Sequence, residues 1–293
     1  MAHQWDAESV VDEALARQLI REQFAPVGER SVELVAAGWD YTVHRVDGKW
    51  AFRFPRREIV LEPMRRELAA LSRLPPSLPV PAPAYRGEPS PRFPWPFWGA
   101  LWLPGVEAGA ASEAERHELA PQLGRLLRDL HAADVPGLPV DVVRRADMGF
   151  RVPRTREELV AAAELWTAPA AVADLLDRAE RLPPAVPSAT CHGDLDFRQV
   201  LVQGGRLTGI VDWIDVCRSD PGIDLLLVYA FLPAEARDGF FAEYGDVGEG
   251  SLIRARVLAL FLSATLARYG RTQGLPHVEH EALASLDRAV AGF

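Results

Sequence analysis

The feature that most limits the possible folds is a change in hydrophobic rhythm at Pro104-Gly105. Before it, Val32, Leu34, Tyr41, Val43, Val46, Trp50, Phe52 and Phe54 sit in short alternating runs, broken by Gly38 and Asp47-Gly48. Alternation turns one side of a strand toward a core, and Asp-Gly between two such runs marks a hairpin because both turn residues need positive φ. The pattern predicts antiparallel strands over 32–36, 40–46 and 49–54. Helices are expected over 8–24, where Val11, Leu15, Leu19 and Ile20 share a face, and over 61–74, which Pro75-Pro76 stops. Proline cannot donate to an inner ladder, so the proline-rich stretch 79–96 suits edge strands and extended connectors. A last strand is expected over 97–103. Beyond the boundary the rhythm is helical over 112–132, 155–181, 222–231, 234–244, 249–270 and 277–291, with a strand-rich interruption at 189–213. The expectation is an α+β fold in two lobes: a β-rich 1–103 with an antiparallel sheet, and a helix-rich 104–293.

Composition narrows the partners. The net charge of −9 argues against nucleic acid, whose binders gather a basic surplus on one face. Only Cys191 and Cys217 are present, too few for a disulfide framework or a four-cysteine zinc site. Met1–Asp6 carries an early acid and lacks the basic start and apolar stretch of a signal peptide. No uninterrupted apolar run approaches the roughly 20 residues that span a bilayer. These features predict a cytoplasmic protein that engages no membrane; its oligomeric state is not legible.

The chemistry concentrates in Cys191-His192-Gly193-Asp194-Leu195-Asp196-Phe197-Arg198-Gln199. Two apolar runs follow, Val200–Val202 and Leu207–Trp213, joined at Gly204-Gly205 as a second hairpin. Asp194 precedes the first strand and Asp212 ends the second, so the hairpin mouth gathers two carboxylates with the Gln199 amide between them. Such hard oxygen donors suit Mg²⁺, which takes one or two carboxylates and completes its shell with substrate phosphates. Adjacent Cys191 and His192 do not form a nucleophile–base pair, because neighbours in an extended segment point to opposite faces.

Taken in order, His192-Gly193-Asp194, Asp212-Trp213 and Asp220-Pro221-Gly222-Ile223-Asp224-Leu225 resemble the aminoglycoside/macrolide phosphotransferase family, which shares the protein-kinase fold. Trp50-Ala51-Phe52-Arg53-Phe54-Pro55-Arg56 and Glu67 match the pattern of its N-terminal lobe. The resemblance implies that Asp194 is the base accepting the substrate hydroxyl proton and that Asp212 and Gln199 hold Mg²⁺ against the phosphates of ATP or GTP. It places Arg53 where the family has its phosphate-binding cation and Glu67 at its ion-pair partner; the alternative is that Glu67 pairs with a neighbouring Arg66 or Arg73. The resemblance further implies that His192 is a structural residue bracing the catalytic loop rather than a base. Asp224 accepts hydrogen bonds from that loop or serves as a helix N-terminal carboxylate. Backbone groups of Ala100, Leu101, Trp102 and Leu103 are expected to meet the purine.

Two departures stand out. Gln199 replaces the usual Asn with a side chain one methylene longer. The phosphate-covering loop keeps only Gly38, in Gly38-Trp39-Asp40-Tyr41, and this segment together with Arg53 leans toward the macrolide branch. For the acceptor, a small molecule, the candidates are Asp196, Phe197, Asp215, Glu235 and Glu243, with a pocket built from 141–181 and the last helices. Asp196-Phe197 and the Ala-, Leu- and Trp-rich insert favour a bulky, partly apolar substrate. A metabolic small-molecule kinase and a nucleotide-binding pseudokinase are the alternatives.

Overall fold

The computed structural model describes residues 7–38 and 40–292, and they divide into two compact units. The first comprises the described residues up to Arg73 together with Val80–Leu103; the second comprises Leu74–Pro79 and the chain from Pro104. The second unit therefore claims a segment that lies before the boundary expected at 103/104.

In the first unit, α1 (Glu13–Gln23) starts five residues later than its periodicity suggests, because the Asp12 carboxylate caps it by accepting the Leu15 N–H at 2.8 Å. A single turn, α2 (Ala25–Gly28), leads to β1 (Val32–Ala37), β2 (Tyr41–Val46) and β3 (Trp50–Pro55). The β2–β3 turn has Asp47 at φ 55° and Gly48 at φ 63°, the geometry that makes Asp-Gly a hairpin signal. After α3 (Leu61–Leu71) come β4 (Pro83–Gly87) and β5 (Phe97–Leu101). The sheet runs β1-β2-β3-β5-β4 with all neighbours antiparallel, so proline-bearing β4 sits at an edge. Gly99 pairs with both Phe52 and Tyr85, and without a side chain there those two rings stack at 5.4 Å. Leu19, Ile20, Val46, Phe54, Phe93 and Phe97 complete this core.

In the second unit, β6 (Val106–Glu107) leads to α4 (Glu113–His131), which opens with a capping box between Ser112 and Glu115. The single helix expected over 155–181 is two: α5 (Met148–Ala161), capped by Asp147, and α6 (Ala171–Glu180). Between them lies Pro169, and the apolar rhythm runs through the gap and hides the break. Next come β7 (Ala189–Cys191), β8 (Val200–Gln203), β9 (Arg206–Ile210) and β10 (Cys217–Ser219). The helices α7 (Gly222–Ala230), α8 (Arg237–Tyr244), α9 (Glu249–Gln273) and α10 (Pro276–Val290) close the chain. The strands form a three-stranded sheet, β6-β8-β9, and a two-stranded one, β10-β7. Leu74–Pro79 joins this unit physically, because the Pro79 carbonyl accepts the Ile210 N–H at 2.8 Å. Every residue of α7 is buried. Helix α9 is long and apolar enough to cross a membrane although charged residues interrupt its apolar runs, and 61% of its most apolar 18-residue stretch is buried within the protein. The two cysteines are free and buried.

Candidate functional site

The segment His192–Gln199 links β7 to β8 and is held by a buried carboxylate. Asp224, in the first turn of α7, accepts the His192 N–H at 2.7 Å and the Gly193 N–H at 3.0 Å. Burial pushes its carboxyl up, but the His131 hydrogen bond, the electrostatic pull of the His131 and His192 rings, and the Gly193 N–H outweigh burial and hold it below the usual range. His131 Nε2 lies 3.2 Å from the same carboxylate, and its Nδ1 lies 2.7 Å from the Tyr244 hydroxyl. His192 ties two chain segments together: Nε2 donates to the Val211 carbonyl at 3.0 Å, while Nδ1 accepts the Asp194 N–H at 3.3 Å. Those two bonds require the tautomer with its proton on Nε2. Gly193 has φ 94°, and a Cβ there would meet the Asp215 carbonyl at 2.3 Å, so no other residue fits.

His131, Cys191 and Asp224 also form a cluster of three metal-type donors. Burial and the Asp224 charge push the Cys191 thiol well up, so it stays protonated, and the carboxylate is already taken by backbone N–H groups. The cluster reads as the structural anchor of the loop.

The hairpin brings its mouth residues into register. Val200 pairs with Ile210, and the ladder runs one step further where the Val211 N–H donates to the Gln199 carbonyl at 2.9 Å. Asp212 follows directly, in the left-handed region at φ 68°. A non-glycine residue there is uncommon and concentrates at functional sites. Trp213 is buried; its Nε1–H donates to the Ile210 carbonyl at 2.9 Å and its ring meets the His192 ring at 4.7 Å. The donors Asp212 and Gln199 are hard oxygens of the kind Mg²⁺ takes. The Gln199 Oε1 accepts the Asp196 N–H at 3.1 Å, which leaves its second lone pair for a cation.

Asp194 keeps 38% of its side chain exposed, and its Oδ1 accepts from Arg145 Nη2 at 3.0 Å. The same nitrogen donates to Asp215 Oδ2 at 2.8 Å. The sequence reading missed Arg145: it lies 49 residues from Asp194 and 70 from Asp215, so no local spacing links them.

The first unit has its own charged pair. Arg53 on β3 lies with Nη1 3.5 Å from Glu67 Oε1 on α3, both largely buried. The Tyr41 hydroxyl donates to Glu67 Oε2 at 2.8 Å, and burial followed by the Glu67 charge pushes its phenol well up. The guanidinium also sits over the Trp98 ring at 5.2 Å. Of the alternatives weighed for Glu67, the structure places Arg53 opposite it. Arg56 donates to the Gly38 carbonyl and Arg57 pairs with Asp40 at 2.6 Å, closing the β1–β2 loop. Trp39, part of the loop resemblance, lies outside the described residues. Of the four purine-facing candidates, Trp102 is already engaged, because its N–H donates to the Lys49 carbonyl at 2.8 Å. Ala100 pairs with Ala51 in the same phase, so antiparallel alternation turns the Leu101 peptide groups from β3 toward the β4 side, and Leu103 lies past the end of the strand.

The acceptor candidates divide. Asp196 is buried and paired with Arg198 at 2.7 Å; it is unavailable to a substrate ammonium. Phe197 is buried against Gly109 and presents no surface. Asp215 is bridged to Asp194 by Arg145, and Glu243 pairs with Arg125 at 2.7 Å. Glu235 is exposed on the turn before α8. A cavity of about 440 Å³ does lie along the 141–181 insert, lined by Val140, Asp141, Met148, Leu182, Pro183 and Asp220 among others, but neither Asp194 nor Asp215 lines it.

Comparison with known proteins places these features in a family frame. Residues 31–260 match a family described as the phosphotransferase enzyme family. No curated protein matches the chain. Among solved structures, APH(2")-IIia in complex with GDP and kanamycin superposes with a TM-score of 0.67 at 21% identity, over 95% of this chain and 99% of that one. The macrolide 2'-phosphotransferase MphH from Brachybacterium faecium gives 0.61 at 21% identity, over 94% and 98%. The streptomycin–ATP ternary complex of APH(2")-IIa gives 0.60 at 15% identity, over 95% and 99%. At these identities the likeness is one of fold, a protein-kinase-like α+β architecture.

Proposed function

The chain belongs to the phosphotransferase enzyme family, an enzyme class with an alcohol group as acceptor, and from that premise we propose that it moves the γ-phosphate of ATP or GTP to a hydroxyl of an antibiotic. The observation that carries this reading is the shared brace of the two carboxylates. His192 joins the backbone at Asp194 to the backbone just before Asp212, and Asp224 holds that brace from below. Phosphoryl transfer asks for positioning and charge neutralisation more than for covalent chemistry, and a common backbone brace for the two acids contributes to the first.

In this reading Asp194 accepts the hydroxyl proton as the acceptor oxygen approaches the γ-phosphorus. Arg53, kept in place by Glu67, meets the nucleotide's phosphates, and backbone groups between Ala100 and Leu103 meet the purine. Asp212 and Gln199 would hold Mg²⁺, which when bound neutralises charge on the β- and γ-phosphates. Acids at the loop are paired with arginines rather than left open: Asp196 with Arg198, and Asp215 with the Arg145 that it shares with Asp194. That balance suits an acceptor with few ammonium groups, and so favours a macrolide over an aminoglycoside. A second reading, a nucleotide-binding pseudokinase, draws on Gln199, whose longer amide is folded onto the Asp196 N–H.

The test is ADP or GDP release with Mg²⁺ across macrolides, aminoglycosides and simple hydroxylated metabolites. Turnover of a macrolide, reduced about a hundredfold or more by Asp194→Asn, is the expected result. Turnover of a metabolite alone would replace the antibiotic reading with a metabolic kinase. Nucleotide binding without any turnover would favour the pseudokinase.

A further inference from the structure

Asp194 is a half-exposed carboxylate on a loop, and such a group rotates freely unless something holds it. The backbone brace through His192 fixes where Asp194 begins, not which way its carboxyl group faces. The side chain is held by Arg145. Its Nη2 donates to Asp194 Oδ1 at 3.0 Å and to Asp215 Oδ2 at 2.8 Å, so one nitrogen ties together acids from two separate loops.

Arg145 is itself well anchored. The Asp141 N–H donates to the Arg218 carbonyl at 3.1 Å, and the Ala146 N–H donates to the Asp141 carboxylate at 2.8 Å. Asp147 then caps α5 through the Phe150 N–H at 3.2 Å. The backbone on both sides of Arg145 is thus pinned, to β10 and to a helix start. Only 16% of its side chain is exposed, against 38% for Asp194, so the carboxylate is the more accessible of the two. Its Nη1 is buried with no hydrogen-bond partner. The guanidinium is therefore held chiefly by the two acids; although burial opposes its charge, their attraction outweighs burial and keeps it protonated. Arg198, which lies in the His192–Gln199 loop itself, makes its side-chain bonds to Asp196.

We propose that Arg145 is a positioning residue for phosphoryl transfer: it fixes Asp194 through Oδ1, so that Oδ2 is the oxygen that takes the acceptor proton, with Asp215 as its second anchor. As the acceptor oxygen forms its bond to the γ-phosphorus, the hydroxyl proton passes to Oδ2. The bond from the γ-phosphorus to the bridging oxygen breaks, and the nucleoside diphosphate leaves with that electron pair. Arg145 neither gives nor takes a proton. This role rests on the reading of Asp194 as the base.

The test uses water as the acceptor, following hydrolysis of ATP and of GTP with Mg²⁺ in the wild type, Asp194→Asn, Arg145→Ala, Arg145→Lys and Arg145→Gln. Arg145→Ala is expected to lower the Asp194-dependent kcat by about tenfold to a hundredfold, the scale of a misplaced catalytic group, with the nucleotide KM changed by less than about twofold. Arg145→Lys should fall between, since a point charge replaces a planar fork. Added guanidinium ion should restore Arg145→Ala, and urea, of the same shape without the charge, should not. Where Arg145→Ala does not fold, Arg145→Gln, which keeps much of the volume and loses the charge, carries the comparison. An unchanged kcat, or equal losses in the Ala and Lys variants without rescue by guanidinium, would overturn the proposal and leave Arg145 a packing residue. Absence of any Asp194-dependent turnover in the wild type is a different failure: it removes the base itself, and this role with it.

Discussion

His44 shows how burial alone sets a chemical state. It lies inside the first unit, edge-on to the Phe54 ring at 5.6 Å, and neither ring nitrogen has a hydrogen-bond partner. Burial lowers its pKa, with Glu13 and Asp12 pulling weakly the other way. The unfolded chain then takes up a proton near pH ~6.5 before the folded protein does, so stability present above that pH is lost as pH falls toward the folded value. The melting midpoint should drop between about pH 7.5 and about pH 5.5, and His44→Phe should flatten that slope. An equal slope in the variant would assign the effect elsewhere. At this scale the sequence was informative where residues sit in a spaced motif. His192, Asp194, Asp212 and Asp224 all stand there, and the structure ties three of them together. It was silent on Arg145 and His131, whose partners lie 49 and 93 residues away. It also overreached at Asp196 and Phe197, because adjacency to Asp194 says nothing about which way a side chain turns, and both turn inward.

Among elements, α3 matters because one residue on it reaches two strands. Glu67 meets Arg53 on β3 and Tyr41 on β2, so helix and sheet share one buried carboxylate. Glu67→Ala removes the counter-charge of a largely buried guanidinium, and breaking such a pair costs about 3–5 kcal/mol. Glu67→Gln can still accept from Tyr41 and should lose less; urea unfolding midpoints would order the two variants. Equal losses would mean that packing, not charge, dominates. Long periodic helices such as α4 and α9 were legible because their apolar face repeats over many turns. The joined reading of α5 and α6 failed because the apolar rhythm carries on across the break. Strands β6 and β10 went unseen for a different reason: at two and three residues they are too short to alternate, and only their partners define them.

For the whole molecule, the proposed activity predicts linkage between ligand and stability. A ligand that binds only the folded protein adds about 2.7 kcal/mol at a hundredfold excess over its Kd. For a chain of this size that is a rise in Tm of roughly 4–5 °C. ATP or GTP with Mg²⁺ should produce such a rise, and Asp212→Asn should remove the part that depends on Mg²⁺. A rise that is the same with and without Mg²⁺ in the wild type would count against Asp212 as a metal ligand.

The placement of Leu74–Pro79 has a consequence for how such a chain can be recombined. The polypeptide passes between the two units three times, after Arg73, after Pro79 and after Leu103. No single crossover in the gene therefore exchanges one core intact. A chimera spliced only at 103/104 would inherit Pro79 from one parent and Ile210 from the other, although the Ile210 N–H donates to the Pro79 carbonyl. Swapping a whole unit between relatives requires two separated stretches of sequence to travel together.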